Sequence, residues 1–336
     1  NATQGNVLGP GDTPHANVQF LVFCGAVIRG IHKYGALLRA VIASASNDHR
    51  LGANEAPPAI ISVYLGTQLQ DVFDQIAQGD LKGSKGKGVM NLGVDTLPVL
   101  PKDPGDRNRT SPFAFTGNRF EFRAVGSGQS VSGPLVAMNT ILADSLDWMA
   151  DQLEAKLASG AELNAAIQDI LRDVIQKHGA IIFNGNGYSP EWHEMAVKER
   201  GLPNLKTTAD ALPVLREQYI EDLFVKEGVL TPVELGSRFE AYAEQYIQSI
   251  EVEAKLVVNM AKTIIYPAAM RHLSELSLSL SNLGEIGIDV GKENAQKVAD
   301  LVKSMMASVE QVSDLLTKHF VTPEEHMQFC ANTLRP

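Results

Sequence analysis

The chain has 336 residues, of which 44% are hydrophobic, and it carries a formal net charge of −10. This length and composition are those of a soluble globular protein with room for one or two hydrophobic cores. The acidic balance argues against a surface for nucleic acid or an anionic membrane. It favours small metabolites, metals or other proteins as partners.

The two cysteines, Cys24 and Cys330, do not suggest a disulfide framework, so a reducing cytoplasm is the expected location. The apolar run 18–28 is too short to cross a bilayer, and the N-terminus does not resemble a signal peptide. We therefore expect neither export nor a membrane span. The first residues are polar, turn-rich and without Met, which is typical of a loop inside a longer protein.

The character of the sequence changes near residue 138, and we place a domain boundary between 1–137 and 138–336. Before it, apolar runs are broken by turn residues, and the pattern predicts a helix over 17–43. Three β-branched or aromatic runs predict strands: 59–66, 112–115 and 119–125. The expected fold class is α+β, with strands and helices followed by a mostly α-helical part.

Helical periodicity dominates after the boundary. Thr231 and Thr322 are each followed by Pro, and three residues after each Thr stands a Glu. This combination predicts two capped helix starts. The first helix is expected to run to about Met260, Pro267 to kink or end its continuation, and a further helix to cover 293–319.

Several familiar catalytic motifs are present only in part, because a required residue is missing from each. The Gly- and Lys-rich stretch 83–88 lacks the residue order of a phosphate-binding loop. His193 and Glu194 begin like a zinc-protease helix, but Val197 stands where the second His is needed. Cys24 lies in an apolar run and is expected to be a buried, inert thiol.

Three stretches contain residues that are suited to binding or catalysis. In the first, Arg50 and Glu55 flank a Gly-containing loop, for which an exposed loop with incidental charges is the plainer interpretation. In the second, Arg107 and Arg109 precede an aromatic strand, and the plainer interpretation is a basic strand end paired with nearby Asp residues.

The third stretch is the strand 119–123. Alternation places Arg119, Glu121 and Arg123 on one side and the two Phe residues on the other. Such a face is either a salt-bridge ladder or a phosphoryl-transfer site, because Arg binds phosphate and carboxylate groups and a carboxylate can hold a bridging metal. Spacing alone does not choose between them.

Taken together, these stretches resemble glutamine synthetase in its long, type III form. The family pattern is Arg-x4-Glu-Ala-Pro, then Asn-Arg-(Ser/Thr), then Arg-x-Glu-x-Arg. The corresponding residues here lie at 50–57, 108–110 and 119–123, and the similarity extends through FNGNGYSPEW at 183–192. The resemblance implies the C-terminal half of a catalytic domain, with antiparallel strands and helices, followed by a helical extension.

The resemblance implies an ATP-dependent amidation of glutamate by ammonia through a γ-glutamyl phosphate. In that assignment Arg50 and Arg123 bind glutamate, and Arg123 holds the carboxylate that is phosphorylated. Glu55 is catalytic: it closes the site and helps to deprotonate ammonium.

The same resemblance assigns the remaining groups to ATP and metal. Arg109, which is also catalytic, and Arg119 face the ATP phosphates, and Glu121 ligates Mg²⁺ or Mn²⁺. Shorter synthetases carry a further Arg where this chain has Ala114, and Arg107 is the candidate substitute. The family's other metal ligands lie upstream of the first residue here, so we expect the isolated chain to be inactive.

Two alternatives stay open. A γ-glutamyl-amine ligase of the same superfamily would share the Arg/Glu face but accept a larger amine. A structural role in assembly is the other, since the acidic helical part exceeds what catalysis needs and the resemblance implies a homo-oligomer of two hexameric rings, a dodecamer. The loop 183–189 is either a subunit contact or an ordinary tight turn.

Overall fold

The structure is a computed structural model that describes residues 5–52, 56–79, 83, 89–90, 100–101, 110–126 and 128–336. Within these ranges the chain forms twelve α-helices and five short strands. The helices are α1 (Val18–Ala40), α2 (Ala45–Arg50), α3 (Gly66–Gln78), α4 (Ser132–Ala158), α5 (Leu163–His178), α6 (Pro190–Lys198), α7 (Thr208–Ala211), α8 (Gln218–Lys226), α9 (Pro232–Met260), α10 (Tyr266–Glu285), α11 (Lys292–Leu315) and α12 (Pro323–Phe329). The strands are β1 (Val63–Tyr64), β2 (Val89–Met90), β3 (Leu100–Pro101), β4 (Phe113–Phe115) and β5 (Phe120–Phe122). The α+β expectation is confirmed.

The chain divides into two compact units, Asn1–Phe239 and Glu240–Pro336. The boundary expected between 1–137 and 138–336 does not coincide with this division. As a boundary between a catalytic part and an extension it stays a prediction. However, α4, which spans it, and α5, which follows it, both pack on α1, which precedes it. The first unit therefore contains both the strands and the first helices of the expected extension.

Helix α1 is the core of the first unit. Two glycines allow its neighbours to approach closely: a Cβ on Gly25 would lie 2.6 Å from Leu171 of α5, and one on Gly30 2.7 Å from Ile141 of α4. By length and composition α1 could also cross a membrane, but 72% of its most apolar window is buried inside the protein. Packing in this core accounts for its apolar character.

The sheet that bears the charged strand has the order β1-β4-β5. β1 pairs with β4 in parallel, and β4 pairs with β5 antiparallel, so the sheet is mixed. The strands are shorter than predicted, because only the residues that find a partner strand form a ladder and α3 already begins at Gly66. β2 and β3 form a separate antiparallel pair.

The predicted helix starts in the later sequence are confirmed. Thr322 accepts a hydrogen bond from the Glu325 N–H at the start of α12. Before α9, Thr231 Oγ1 accepts from the Glu234 N–H, and the Glu234 carboxylate accepts from the Thr231 N–H. α9 ends at Met260, as predicted, and a π-helical turn, Ala261–Ile265, leads into α10. In the second unit His326 of α12 lies 3.1 Å from the Glu251 carboxylate of α9.

Candidate functional site

The hairpin β4–β5 presents the charged face. Its turn is closed by a hydrogen bond of 2.9 Å from the Thr116 N–H to the Arg119 carbonyl. Gly117 in this turn has φ of +97°, a conformation that glycine adopts without strain. Pairing then continues from Phe115–Phe120 to Phe113–Phe122, which fixes the direction in which each β5 side chain points.

Arg119, Glu121 and Arg123 meet on one face of β5, as the alternation predicts. The Nε and Nη2 atoms of Arg119 each lie 3.1 Å from Glu121 Oε1. The same two atoms of Arg123 each lie 3.3 Å from Glu121 Oε2. Each of the two carboxylate oxygens of Glu121 is therefore paired with a different guanidinium on the same face of the strand.

This arrangement keeps Glu121 ionised. Slight desolvation raises the pKa of Glu121, but the hydrogen bonds from Arg119 and Arg123 outweigh it and hold the pKa below its ordinary value. The side chains are exposed by 68% for Arg119, 34% for Glu121 and 20% for Arg123. Ion pairs this accessible contribute little to folding, so stability alone is a weak reason for the arrangement.

The opposite face of β5 is apolar but only half buried. The rings of Phe120 and Phe122 lie 5.6 and 6.1 Å from the buried ring of Phe113. Behind them is an apolar cavity of about 530 Å³, whose lining also includes Leu135 and Met138 of α4. The two Phe residues thus anchor the strand to β4 while facing a hollow beside α4.

Arg50 is the exposed last residue of α2. Ser44 caps the start of this helix, since its side chain accepts a hydrogen bond from the Asn47 N–H. Asn47 Nδ2 in turn donates to the Val125 carbonyl at 2.7 Å. Because Val125 is two residues after Arg123, α2 is tied to the segment that leaves β5. The structure does not bring Arg50 into a described contact with Arg123.

Other predicted site residues lie outside the described ranges: Glu55, Arg107 and Arg109. Ala114, where shorter synthetases have an arginine, is fully buried in β4 and lies opposite Glu121 in the ladder. Whether Arg107 takes over the missing phosphate contact stays a prediction.

Glu121 is chemically suited to be one ligand of a divalent cation, because a carboxylate has about four lone-pair positions and remains ionised here. Within the part of the chain that the structure describes, no group of three or more His, Cys, Asp or Glu side chains is placed to hold a metal ion. The described residues therefore fit a single contribution to a metal site and do not form a complete one.

The loop 183–189 lies against the same sheet, which the sequence did not reveal. The Phe183 N–H donates to the Val63 carbonyl of β1 at 2.9 Å, and the Gly187 N–H donates to Thr110 Oγ1 at 3.0 Å. Thr110 is three residues before β4, although it is 77 positions from Gly187. A contact across this separation leaves no periodic signal in the sequence.

Comparison with known proteins supports the resemblance. Residues 166–283 match the profile of the glutamine synthetase C-terminal domain. The type-3 glutamine synthetase of Dictyostelium discoideum is 44% identical over 280 residues, which are 83% of this chain and 38% of that protein. The glutamine synthetase of Bacteroides fragilis is 38% identical over 84% of this chain and 39% of its own length. That of Butyrivibrio fibrisolvens is 39% identical over 81% of this chain and 38% of its own length.

These matches define the class of protein that the chain resembles: it is similar to glutamine synthetases, which are ligases. More particularly, it is similar over most of its length to a type-3 glutamine synthetase, and residues 166–283 are a glutamine synthetase C-terminal domain. The chain spans about two fifths of the length of these relatives, as the 38–39% coverage shows. The family generally uses ATP and a divalent metal.

Proposed function

We propose that the longer protein to which this chain belongs joins ammonia to glutamate, with ATP as the phosphoryl donor and a γ-glutamyl phosphate as intermediate. The observation that carries the proposal is the face of Arg119, Glu121 and Arg123 on β5, where one ionised carboxylate is held between two guanidiniums. Phosphoryl transfer requires such a face, since the protein mainly positions groups and offsets negative charge.

Each group has a separate role in this proposal. Arg123 binds the glutamate carboxylate that accepts the phosphoryl group, and Arg50 binds glutamate from α2. Arg119 and Arg109 bind the phosphates, since guanidinium matches phosphate oxygens in a bidentate manner. Glu55 closes the site against water, which would hydrolyse an acyl phosphate, and attracts ammonium.

Glu121 contributes one oxygen ligand to a divalent cation, Mg²⁺ or Mn²⁺. When bound, that cation offsets the charge of the phosphates. Further ligands come from parts of the longer protein beyond this chain. We also propose a cytoplasmic homo-oligomer, two stacked rings of six subunits, with subunit contacts supplied by the helices after residue 138.

The test is an assay of the full-length protein for phosphate release and glutamine formation. We expect both to require glutamate, ammonia, ATP and Mg²⁺ or Mn²⁺ together. Replacing ammonia by bulkier primary amines is the control, and we expect these amines to be poor acceptors. A preference for the bulky amine contradicts the proposal and favours a γ-glutamyl-amine ligase. No product with any amine contradicts both.

A further inference from the structure

The loop 183–189 is fixed on three sides. On the first, Phe183 stacks on Trp192 with ring centroids 3.7 Å apart, and the Arg200 guanidinium lies 5.1 Å from the Trp192 ring. Arg200 also donates to the Ile182 carbonyl at 2.7 Å, so the start of the loop is held by a side chain from beyond α6. On the second side, His193 Nε2 lies 2.9 Å from the Gly187 carbonyl.

The third side is the sheet. Ile182 forms a parallel bridge with Val63 of β1. Asn184 Oδ1 accepts from the N–H groups of Leu65 and Gly66 at 2.9 and 3.0 Å. These N–H groups belong to the start of α3, where Leu65, the N-cap residue, makes no capping bond of its own. Asn184 thus caps α3 from a segment more than a hundred residues away.

From this fixed loop a hydrogen bond reaches the segment that leads into the charged hairpin. The Gly187 N–H donates to Thr110 Oγ1 at 3.0 Å in a buried position. The approach is so close that a Cβ on Gly187 would overlap the Thr110 carbonyl oxygen. Gly187 does not have a positive φ. Glycine is therefore needed here for close packing and not for its backbone freedom.

Thr110 in turn lies three residues before β4. Two residues later, the Pro112 carbonyl accepts a hydrogen bond of 2.8 Å from the Arg123 N–H. β4 follows at once and pairs Ala114 with Glu121. A displacement of Thr110 is thus passed through β4 to the backbone that carries Glu121 and Arg123.

We propose that Gly187 and Thr110 are positioning residues of the ligase site: the loop 183–189 sets the position of Glu121 and Arg123 relative to α2 and α3. This inference rests on the proposed function and adds a catalytic task for a loop in the part of the chain expected to serve assembly. A shift of about 1 Å in such groups costs on the order of 100-fold in rate, while the fold persists.

The experiment uses the full-length protein and two matched pairs of variants. Thr110→Val removes the hydroxyl acceptor at constant shape, and Thr110→Ser retains it. Gly187→Ala inserts the Cβ against Thr110, and Gly236→Ala adds the same group in α9, where nothing lies within 4 Å. For each variant kcat, the KM for glutamate, glutamate binding by calorimetry, and thermal unfolding are measured.

We expect Thr110→Val and Gly187→Ala to raise both the KM and the dissociation constant for glutamate, with a loss of about 10- to 100-fold in kcat/KM. Thr110→Ser and Gly236→Ala should stay within about twofold of the wild type. If Thr110→Val binds glutamate as tightly as the wild type, the inference is overturned. This also holds if the activity of Thr110→Val falls, but only in proportion to the amount of folded protein. A wild-type protein that forms no glutamine overturns the proposed function, whereas an active wild type with unaffected variants overturns only the positioning role.

Discussion

At the scale of a single residue, substitution of Glu121 distinguishes a functional face of β5 from a salt-bridge ladder that serves only stability. Its ion pairs are accessible to solvent, and pairs of this kind contribute about 0–1 kcal/mol. Glu121→Gln should therefore lower the unfolding free energy by about 1 kcal/mol or less. The same change removes the charge proposed to hold the metal, so kcat/KM of the full-length enzyme should fall by about 100-fold or more.

The control is Glu194→Gln, which removes a more exposed ion pair with Lys198 on α6. We expect this variant to retain both activity and stability. Thermal unfolding and the glutamine assay measure the two properties separately. If Glu121→Gln remains active, the face of β5 is a salt-bridge ladder and the proposed metal contact is wrong.

At the scale of elements, α1 and α5 are joined by a pair of histidines. The Nδ1 atoms of His32 and His178 are 3.0 Å apart, so one ring must donate and the other accept. Burial lowers the pKa of both residues, and for His178 the neighbouring His32 and Arg29 lower it further, to about 4. Asp173 and Lys177, which also face His178, raise and lower its pKa respectively.

The sign of the pH effect follows from these shifts. A histidine whose pKa is lower in the folded than in the unfolded state contributes stability above its unfolded pKa of about 6.5. That contribution is lost as the pH falls towards 4. Because both rings are only half buried, we expect a loss of about 1–2 kcal/mol between pH 7 and pH 4.5.

Tryptophan fluorescence measures this loss in the first unit, because both tryptophans of the chain, Trp148 and Trp192, lie there. In denaturant unfolding of this chain, His178→Gln should reduce the pH dependence between pH 7 and pH 4.5. The exposed His49 of α2 provides the control, and His49→Gln should leave the dependence as in the wild type. An unchanged slope in His178→Gln would show that other groups control acid unfolding.

Elements with a local cause were predictable from the sequence. The length of a continuous apolar run without Pro located α1, and the capping residues Thr231 and Thr322 located α9 and α12 within a few residues. Alternation likewise placed Arg119, Glu121 and Arg123 on one face. The contact of Gly187 with Thr110 was not predictable, because it depends on how α5 and α6 fold back onto the sheet.

At the scale of the whole molecule, the units divide at Phe239, about a hundred residues after the boundary expected from composition. The composition of the sequence changes where strands give way to helices. The limits of a compact unit depend instead on packing, and α4 and α5 pack on α1. Truncation near residue 138 would therefore uncover the core of the first unit. Point substitutions in the second unit are the better test of an assembly role.

The second unit offers a specific surface for that test. Exposed apolar side chains recur every four residues along α9 and the turn after it: Val252, Leu256, Met260 and Ile264. A stripe of this spacing follows one face of a helix, and such a face is typical of contact with another protein surface. We expect it to contact a second copy of the chain in the proposed homo-oligomer.

Leu256→Asp places a charge in the middle of this stripe, where burial against a partner would cost several kcal/mol. The mass of the full-length protein in solution, measured by light scattering, should therefore shift from that of the proposed ring assembly to smaller species. Leu301→Asp is the matched control, since Leu301 is an exposed leucine of α11 outside the stripe. Equal masses for wild type and both variants would exclude the stripe as a subunit contact, and the site on β5 would remain unaffected by that result because it lies in the other unit.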